Sequence, residues 1–280
     1  MTQPKPYPMW ISHTSMRDYL SCPRAYFLRQ IYKDPASGKK INIMNPALAL
    51  GNTVHEILEG LAEVKAEDRL TISLLDKYEV AWKKVAGDLG GFADSVEEAI
   101  YKERGARMLE RVIKNPGPIV NKALRLHSPD TLPPRYLFSE EENILLCGKI
   151  DWLEYFPEDN SVHIIDFKTG VHEEDADSLQ LPIYALLVAN CQKRKIKKIS
   201  YWYLDKSDEP LEMALPDLAV AHRKVLEVAL KIKKARADRV FVCANPSSSG
   251  DCFACRPLEK IVKGEARYIR TSGYQDIYAV

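Results

Sequence analysis

Three charged residues near the middle of the chain have the types and spacing of a hydrolytic site. The sequence around them reads Gly-Lys-Ile-Asp at 148–151 and Ile-Ile-Asp-Phe-Lys-Thr-Gly at 164–170. On a β-strand, side chains two residues apart lie on the same face, so Asp166 and Lys168 are predicted to project together. If Asp151 lies on the preceding strand of a hairpin, the two carboxylates converge.

Two converging carboxylates suit a hard divalent cation such as Mg²⁺ or Mn²⁺, which prefers oxygen ligands. A cation held there can activate a water and stabilise negative charge on a phosphodiester. Lys168 can orient the water and neutralise the developing charge. An Asp-x-Lys sequence alone is also typical of a surface ion pair, so the surrounding sequence has to distinguish the two.

The elements that must position these residues follow from hydrophobic patterning. Strand-like composition covers residues 136–155 and 161–169, and a turn is predicted at 157–160. Helical spacing or composition predicts helices at 15–20, 23–32, 47–64, 73–85, 96–113, 178–190 and 216–237, and a further strand is predicted at 198–204. The predicted fold class is therefore α/β, with an N-terminal helical region before the sheet.

The bulk composition excludes a strongly cationic nucleic-acid-binding protein, because the 280 residues carry a formal net charge of only +1. Any DNA contact would depend on local basic stretches, such as residues 193–198 and the cationic side chains between Arg223 and Arg239. Residues 1–9 lack the apolar core of a secretory signal, and no run of about 18 apolar residues occurs. We therefore expect a cytoplasmic protein with no membrane span.

The six cysteines are too few for a disulfide scaffold in a chain of 280 residues. Cys252 and Cys255 form a C-x-x-C pair, and Cys243 lies nine residues before it. In a reducing compartment, clustered cysteines indicate a metal site more often than disulfides. Cys147 in a predicted strand and Cys191 at a predicted helix end are interpreted as packed thiols.

Five short segments together give the chain a resemblance to a known family. They are Ser-Met-Arg-Asp-Tyr-Leu-Ser-Cys-Pro-Arg-Ala-Tyr-Phe at 15–27, Gly-Asn-Thr-Val-His at 51–55, Gly-Lys-Ile-Asp at 148–151, Asp-Phe-Lys-Thr-Gly at 166–170 and Gln-Leu-Pro-Ile-Tyr at 180–184. In this order, they resemble the motifs of the RecB-type branch of the PD-(D/E)XK nucleases. That branch includes the nuclease domains of RecB and AddAB and the small CRISPR-associated exonucleases.

The resemblance implies a restriction-endonuclease-like core, in which a mixed β-sheet is flanked by helices. We expect residues 1–280 to form a single nuclease domain. A helical insertion is expected at about 66–134, and a cysteine-containing C-terminal segment at about 240–280.

The resemblance also implies the roles of individual residues. The metal ligands would be His55, Asp151, Asp166 and the main-chain carbonyl of Phe167, and Lys168 would be the catalytic lysine. Gln180 and Tyr184 lie one helical turn apart, so they share a face and would line the site next to the DNA backbone. The alternatives are a core histidine at His55, and helix capping or packing for Gln180 and Tyr184.

For the cysteines, the resemblance implies a four-iron, four-sulfur cluster that joins the two ends of the chain. Cys22 would bind it together with Cys243, Cys252 and Cys255. The sequence departs from the family pattern, because the usual final cysteine after the C-x-x-C pair is missing from residues 256–280. Cys243 could replace that cysteine from the other side. Zinc bound by the four thiolates, or no metal, remain alternatives.

The function predicted from these motifs is that of a metal-dependent DNA nuclease, an exonuclease acting on single strands or DNA ends. Its partners would be DNA and a helicase or other repair, recombination or CRISPR adaptation proteins. One alternative is a non-catalytic DNA-binding or scaffold module. Another is a nuclease that is active only with a helicase partner, because the chain has no Gly-x-x-x-x-Gly-Lys-Ser/Thr phosphate loop of its own.

Overall fold

Three separate mixed sheets form the framework of the protein in a computed structural model, which describes residues 7–126, 130, 132–244 and 252–280. The strands are β1 (Met9–Ile11), β2 (Lys40–Ile43), β3 (Ala123–Leu124), β4 (Arg135–Ser139), β5 (Ile144–Cys147), β6 (Trp152–Phe156), β7 (Ser161–Lys168), β8 (Lys195–Tyr203), β9 (Leu211–Met213), β10 (Arg267–Ser272) and β11 (Gln275–Ala279). The largest sheet has the order β3-β6-β7-β8-β9. The smaller sheets have the orders β1-β5-β4 and β10-β11-β2.

Eight α-helices flank these sheets within the described part of the chain. They are α1 (His13–Ser21), α2 (Pro23–Tyr26), α3 (Pro46–Gly60), α4 (Leu74–Trp82), α5 (Ser95–Lys114), α6 (Gln180–Cys191), α7 (Leu218–Asp238) and α8 (Arg256–Val262). Polar side chains cap several helix starts: Asn45 accepts a hydrogen bond from a backbone N–H of α3, and Asp94 accepts two from α5. Mixed sheets flanked by helices confirm the predicted α/β class.

Strand β7 lies at the centre of the five-stranded sheet and is buried along nearly its whole length. It pairs antiparallel with β6 and parallel with β8, and α6 lies in the crossover between the two parallel strands. Ile164 packs with α6 and α7 on one face of the sheet, whereas Ile165 and Phe167 pack with α3, α4 and α5 on the other. Since side chains alternate along a strand, Asp166 and Lys168 lie on the face opposite to Ile165 and Phe167.

The strand composition predicted over residues 136–155 is divided among β4, β5 and β6, which belong to two different sheets. Strands β4 and β5 are joined by a turn in which Asn143 has a left-handed φ of 53°. The chain then crosses to the central sheet at Gly148, where an added Cβ would lie 2.8 Å from Leu187 of α6. Because this crossing is not a strand, Asp151 lies immediately before β6 and not on it, which differs from the sequence-based prediction.

The predicted helices are present, with ends that shift by a few residues. The helix predicted at 23–32 is divided into α2 and a π-helical turn, Phe27–Ile31. No strands were predicted for the sheet β10-β11-β2. The predicted cysteine-containing segment at about 240–280 falls partly on residues 245–251, outside the described residues. In the described ranges, the helices are all too short or too polar to cross a membrane.

Candidate active site

Asp151 occupies the open end of the β6–β7 hairpin. Its Oδ2 accepts a hydrogen bond of 2.9 Å from the backbone N–H of Phe167 on β7. The N–H and C=O groups of one strand residue point toward the same neighbour, so the Phe167 carbonyl also faces this side. The hairpin therefore brings the Asp151 carboxylate next to the segment that carries Asp166 and Lys168.

Helix α3 supplies two further polar side chains to the same place. The Nδ1 atom of His55 lies 3.3 Å from Oε1 of Glu59 and 3.5 Å from Oδ2 of Asp151. His55 and Glu59 are four residues apart and therefore share one face of the helix. Buried Val54 and Leu58 hold α3 against the central sheet, which leaves His55 at the rim of the core.

Asp166 and Lys168 project from the same face of β7, as predicted, and the Gln180 side chain bridges them. Its Nε2 donates to Oδ1 of Asp166 at 2.7 Å, and its Oε1 accepts from Nζ of Lys168 at 2.5 Å. Lys168 Nζ also lies 2.9 Å from Oδ2 of Asp166. One turn later on α6, the Tyr184 hydroxyl accepts a hydrogen bond of 3.2 Å from Gln180. All four side chains therefore form one connected network.

The loop after β7 completes the environment of Lys168. Glu174 forms an ion pair of 2.8 Å with its Nζ atom. Arg104 fixes the start of the loop by donating to the Thr169 carbonyl at 2.7 Å. Gly51 of α3 approaches this loop so closely that an added Cβ would lie 3.1 Å from Oγ1 of Thr169. The ammonium group is thus held by Asp166, Glu174 and Gln180 at once.

The charges of the site are strongly coupled. Burial raises the pKa of Asp166 to about 7, and the Asp151 carboxylate adds to the rise. Burial lowers the pKa of His55, but hydrogen bonds with Asp151 and Glu59 outweigh it and raise the value to about 10. Burial likewise opposes the charge of Lys168, but Asp166 and Glu174 raise its pKa overall. The site therefore holds an excess of negative potential that favours a cation.

The donor atoms fit a divalent cation. One ligand atom each from His55, Glu59 and Asp151 lie within 4.8 Å of one another, which is close enough for one ion to contact all three. Asp166 lies outside this group and contacts Lys168 and Gln180, although its charge acts on Asp151 and His55. The two carboxylates suit a hard divalent cation, whereas the imidazole is a less usual ligand for such an ion.

An open cleft of about 570 Å³ gives access to these donors. It is lined by residues of α3, among them His55 and Glu59, and by Arg125 and Lys149. A second cleft of about 620 Å³ reaches Asp151 and shares Glu59, Arg125 and Lys149 with the first. Lys149 is 71% exposed and forms an ion pair with Glu59. Cationic side chains therefore flank the acidic centre on its solvent side.

The structure brings the predicted site residues together, and it adds three that the sequence analysis did not assign to the site. The predicted residues are His55, Asp151, Asp166, Phe167, Lys168, Gln180 and Tyr184. The additions are Glu59, Glu174 and Tyr201, whose ring lies 5.0 Å from Lys168 Nζ. The position of Glu59 could have been predicted, because it lies four residues after His55 on the same helix. The contact of Glu174 with Lys168 depends on a loop conformation that no local sequence pattern predicts. The basic stretch 193–198 overlaps the start of β8. There, Lys197 and Lys198 form ion pairs with acidic side chains.

Four cysteines converge at a second place. One sulfur each from Cys22, Cys243, Cys252 and Cys255 lie within 4.8 Å of one another. Burial raises the pKa of the Cys252 thiol, but hydrogen bonds from backbone N–H groups outweigh it and lower the value to about 7. The other two cysteines, Cys147 and Cys191, lie half-buried elsewhere in the chain, in keeping with packed thiols.

Comparisons with known proteins show the family to which the chain belongs. Two relatives, each named as a subunit of an ATP-dependent helicase/deoxyribonuclease, come from Thermoanaerobacter sp. (strain X514) and Thermoanaerobacter pseudethanolicus (strain ATCC 33223 / 39E). Each is 26% identical over 293 aligned residues, which cover 95% of this chain and 24% of the relative. The chain thus spans about a quarter of the length of these curated relatives. Residues 10–257 match the family model of the PD-(D/E)XK nuclease superfamily, and the chain belongs to that superfamily.

Proposed function

We propose that the protein is a metal-dependent deoxyribonuclease whose active centre consists of His55, Asp151, Asp166 and Lys168. The observation that carries the proposal is that three potential cation ligands and the partly buried Lys168, which pairs with Asp166 and Glu174, lie at the same end of the β6–β7 hairpin. We further propose Glu59 as a ligand. Its carboxylate lies beside both His55 and the solvent-exposed Lys149.

A bound Mg²⁺ or Mn²⁺ would supply Lewis-acid stabilisation of the phosphodiester. The side chains of this chain have separate tasks. Lys168 remains protonated and presents a fixed positive charge where negative charge develops on the phosphate. Gln180 fixes the relative positions of Lys168 and Asp166 by hydrogen bonding to both, and Tyr184 accepts a hydrogen bond from Gln180 one turn later on α6. The Phe167 carbonyl, on the Asp151 side of β7, is proposed as an additional oxygen ligand.

DNA is the proposed substrate, and Arg125 and Lys149 are placed to contact its phosphates. Both line the clefts that lead to Glu59 and Asp151. A positive rim around an acidic centre attracts the DNA backbone and leaves the interior for the cation. The resemblance to RecB-type nucleases supports an exonuclease that acts on single strands or DNA ends. We also propose that the whole chain forms one nuclease domain, with the segment at about 66–134 as a helical insertion.

A cleavage assay with end-labelled DNA tests the proposal. Wild-type protein is incubated with single- and double-stranded DNA and with Mg²⁺, Mn²⁺ or a chelator, beside Lys168→Ala and a Lys102→Ala control on α5, where Lys102 pairs with Glu79. Metal-dependent cleavage that is lost only in Lys168→Ala is the expected result. Shortening from labelled ends identifies an exonuclease, whereas internal products identify an endonuclease. Equal cleavage by Lys168→Ala would contradict the proposed centre.

A second candidate function is a nuclease that cuts only together with a helicase. It is favoured by the two relatives, whose names combine a helicase with a deoxyribonuclease and of which this chain spans a quarter. Adding a DNA helicase and ATP to an otherwise inactive preparation would distinguish this candidate. If no cleavage follows and DNA affinity is retained, the protein is a non-catalytic binding module.

A further inference from the structure

The spacing of the four cysteine sulfurs contains information about what they bind. Sγ of Cys243 lies 3.6 Å from Sγ of Cys255, and all four sulfurs, including those of Cys22 and Cys252, are within 4.8 Å of one another. A set this compact surrounds a space the size of one atom. The sulfurs also come from distant parts of the chain, so the spacing is a property of the fold and not of a single loop.

Two kinds of four-cysteine site predict different spacings. Four thiolates around one tetrahedral ion, with metal–sulfur bonds of about 2.3 Å, lie about 3.8 Å apart. In a four-iron, four-sulfur cluster, each thiolate binds a different corner of a cube, which separates the sulfurs by roughly 6 Å. The observed distances fit the first arrangement. They do not fit the iron–sulfur cluster that the family resemblance implied.

The surroundings of the cysteines hold them in this compact form. Cys22, Cys252 and Cys255 are buried in an apolar cluster that includes Leu28 and Leu258. An ion pair of 2.6 Å between Arg24 on α2 and Glu259 on α8 joins the two helices that follow Cys22 and Cys255. Spreading the sulfurs around a cube would require these helices to move apart and this packing to open.

We propose that Cys22, Cys243, Cys252 and Cys255 bind a single tetrahedral metal ion, and that the ion is zinc. Four thiolates and a closed, four-coordinate geometry are typical of structural zinc sites. Four protein ligands leave no open position for a substrate, so the site is structural. It joins the N-terminal helices to the C-terminal segment, which lie more than 200 residues apart in sequence. This inference is independent of the proposed nuclease activity.

Metal analysis of the full-length protein tests the proposal directly. The protein is purified without oxygen from cells supplied with both iron and zinc, and is then incubated with iron and sulfide under reconstitution conditions. We expect about one zinc ion per chain, little iron and no broad absorption near 400 nm. Iron and sulfide at about four per chain, with a brown colour, would overturn the proposal, as would a preparation that binds neither metal.

Two further measurements assign the ligands. Replacing the zinc with Co²⁺ should give the visible absorption bands of a tetrahedral thiolate site. Cys243→Ser should lose the zinc and melt at a lower temperature. Cys147 lies on β5 outside the cluster, so Cys147→Ser should retain the metal and lower the melting temperature much less. If Cys243→Ser fails to fold, the Co²⁺ spectrum of the wild-type protein decides. An octahedral spectrum, or an unchanged zinc content in folded Cys243→Ser, would contradict the assignment.

Discussion

The candidate active site and the cysteine cluster both consist of side chains of the types that bind metal ions, but they are assembled in opposite ways. Asp151, Asp166 and Lys168 lie within one hairpin of the central sheet, so short-range structure places them together. Cys22 and Cys255 lie more than 200 residues apart in sequence, and only the tertiary fold brings them together. Strand alternation is enough to predict that Asp166 and Lys168 share a face, whereas the grouping of the four cysteines was implied only by the family resemblance.

The two sites also differ in how their charges are balanced. In the active site, Lys168 lies between acidic groups and His55 contacts Asp151, so cationic side chains compensate part of the negative charge of the carboxylates. The cysteine cluster packs against apolar residues such as Leu28 and Ile41. We infer that the active site forms without its cation, whereas the cysteine cluster needs its ion for stability.

The largest expected effect is on catalysis. Asp166→Asn keeps the shape of the side chain and its contact with Gln180 but removes the charge, so we expect cleavage to fall about a thousand-fold. Because Asp166 is buried beside another carboxylate, the free energy of unfolding should change by less than about 1 kcal/mol. Cleavage rates and chemical denaturation measured on the same preparation test both parts.

Asp159→Asn is the matched control, because Asp159 is an exposed aspartate at the far end of the same hairpin. It should leave cleavage unchanged. A large loss of stability in Asp166→Asn would show that the active site needs its charged groups for stability, as the cysteine cluster needs its ion. The contrast between the two sites would then be wrong.

The second effect is on stability. Cys22→Ala removes one thiolate of the cluster, and we expect the free energy of unfolding to fall by on the order of 3 kcal/mol. Cys147→Ala, the control, should cost only about 1 kcal/mol, because it loses packing but no ligand. Urea denaturation in the presence and absence of a strong chelator measures the difference. Equal losses in the two variants would mean that the cluster contributes packing alone.

The difference between local and distant assembly explains what could be predicted from sequence. The shared face of Asp166 and Lys168 follows from strand alternation, and the Gln180–Tyr184 pair follows from helical spacing. The crossing at Gly148 was missed because it depends on how closely α6 approaches, which no local pattern encodes. The strands of the third sheet were missed for a related reason: β2 pairs with β11, more than 200 residues later in the chain.

The third effect is on metal affinity. Glu59→Gln removes the negative charge beside His55, so we expect Mn²⁺ binding to weaken roughly ten-fold or more. Glu63→Gln is the control, because Glu63 lies four residues later and pairs with Arg125 instead of His55. Calorimetric titration of Mn²⁺ measures both variants. Unchanged affinity in Glu59→Gln would remove Glu59 from the ligand set and leave the metal to His55 and the two aspartates.

The smallest effect is on DNA binding. Lys149 is exposed on the rim of the cleft, so Lys149→Ala should weaken DNA binding roughly three-fold and lower the slope of log affinity against log salt by about 1. Lys149 also pairs with Glu59, so the metal affinity of the variant must be measured beside its DNA affinity. Fluorescence anisotropy with single-stranded DNA at several salt concentrations provides the slope.

Arg107→Ala on α5 is the control, because Arg107 is also exposed and paired with an acidic side chain but lines neither cleft. If only Lys149→Ala changes the slope, the DNA backbone passes over the acidic centre, and the cleft is the DNA-binding surface of the protein. If both variants change it equally, the DNA contact is diffuse. The active site would then be more exposed than the cysteine cluster, but it would not be the place where DNA binds.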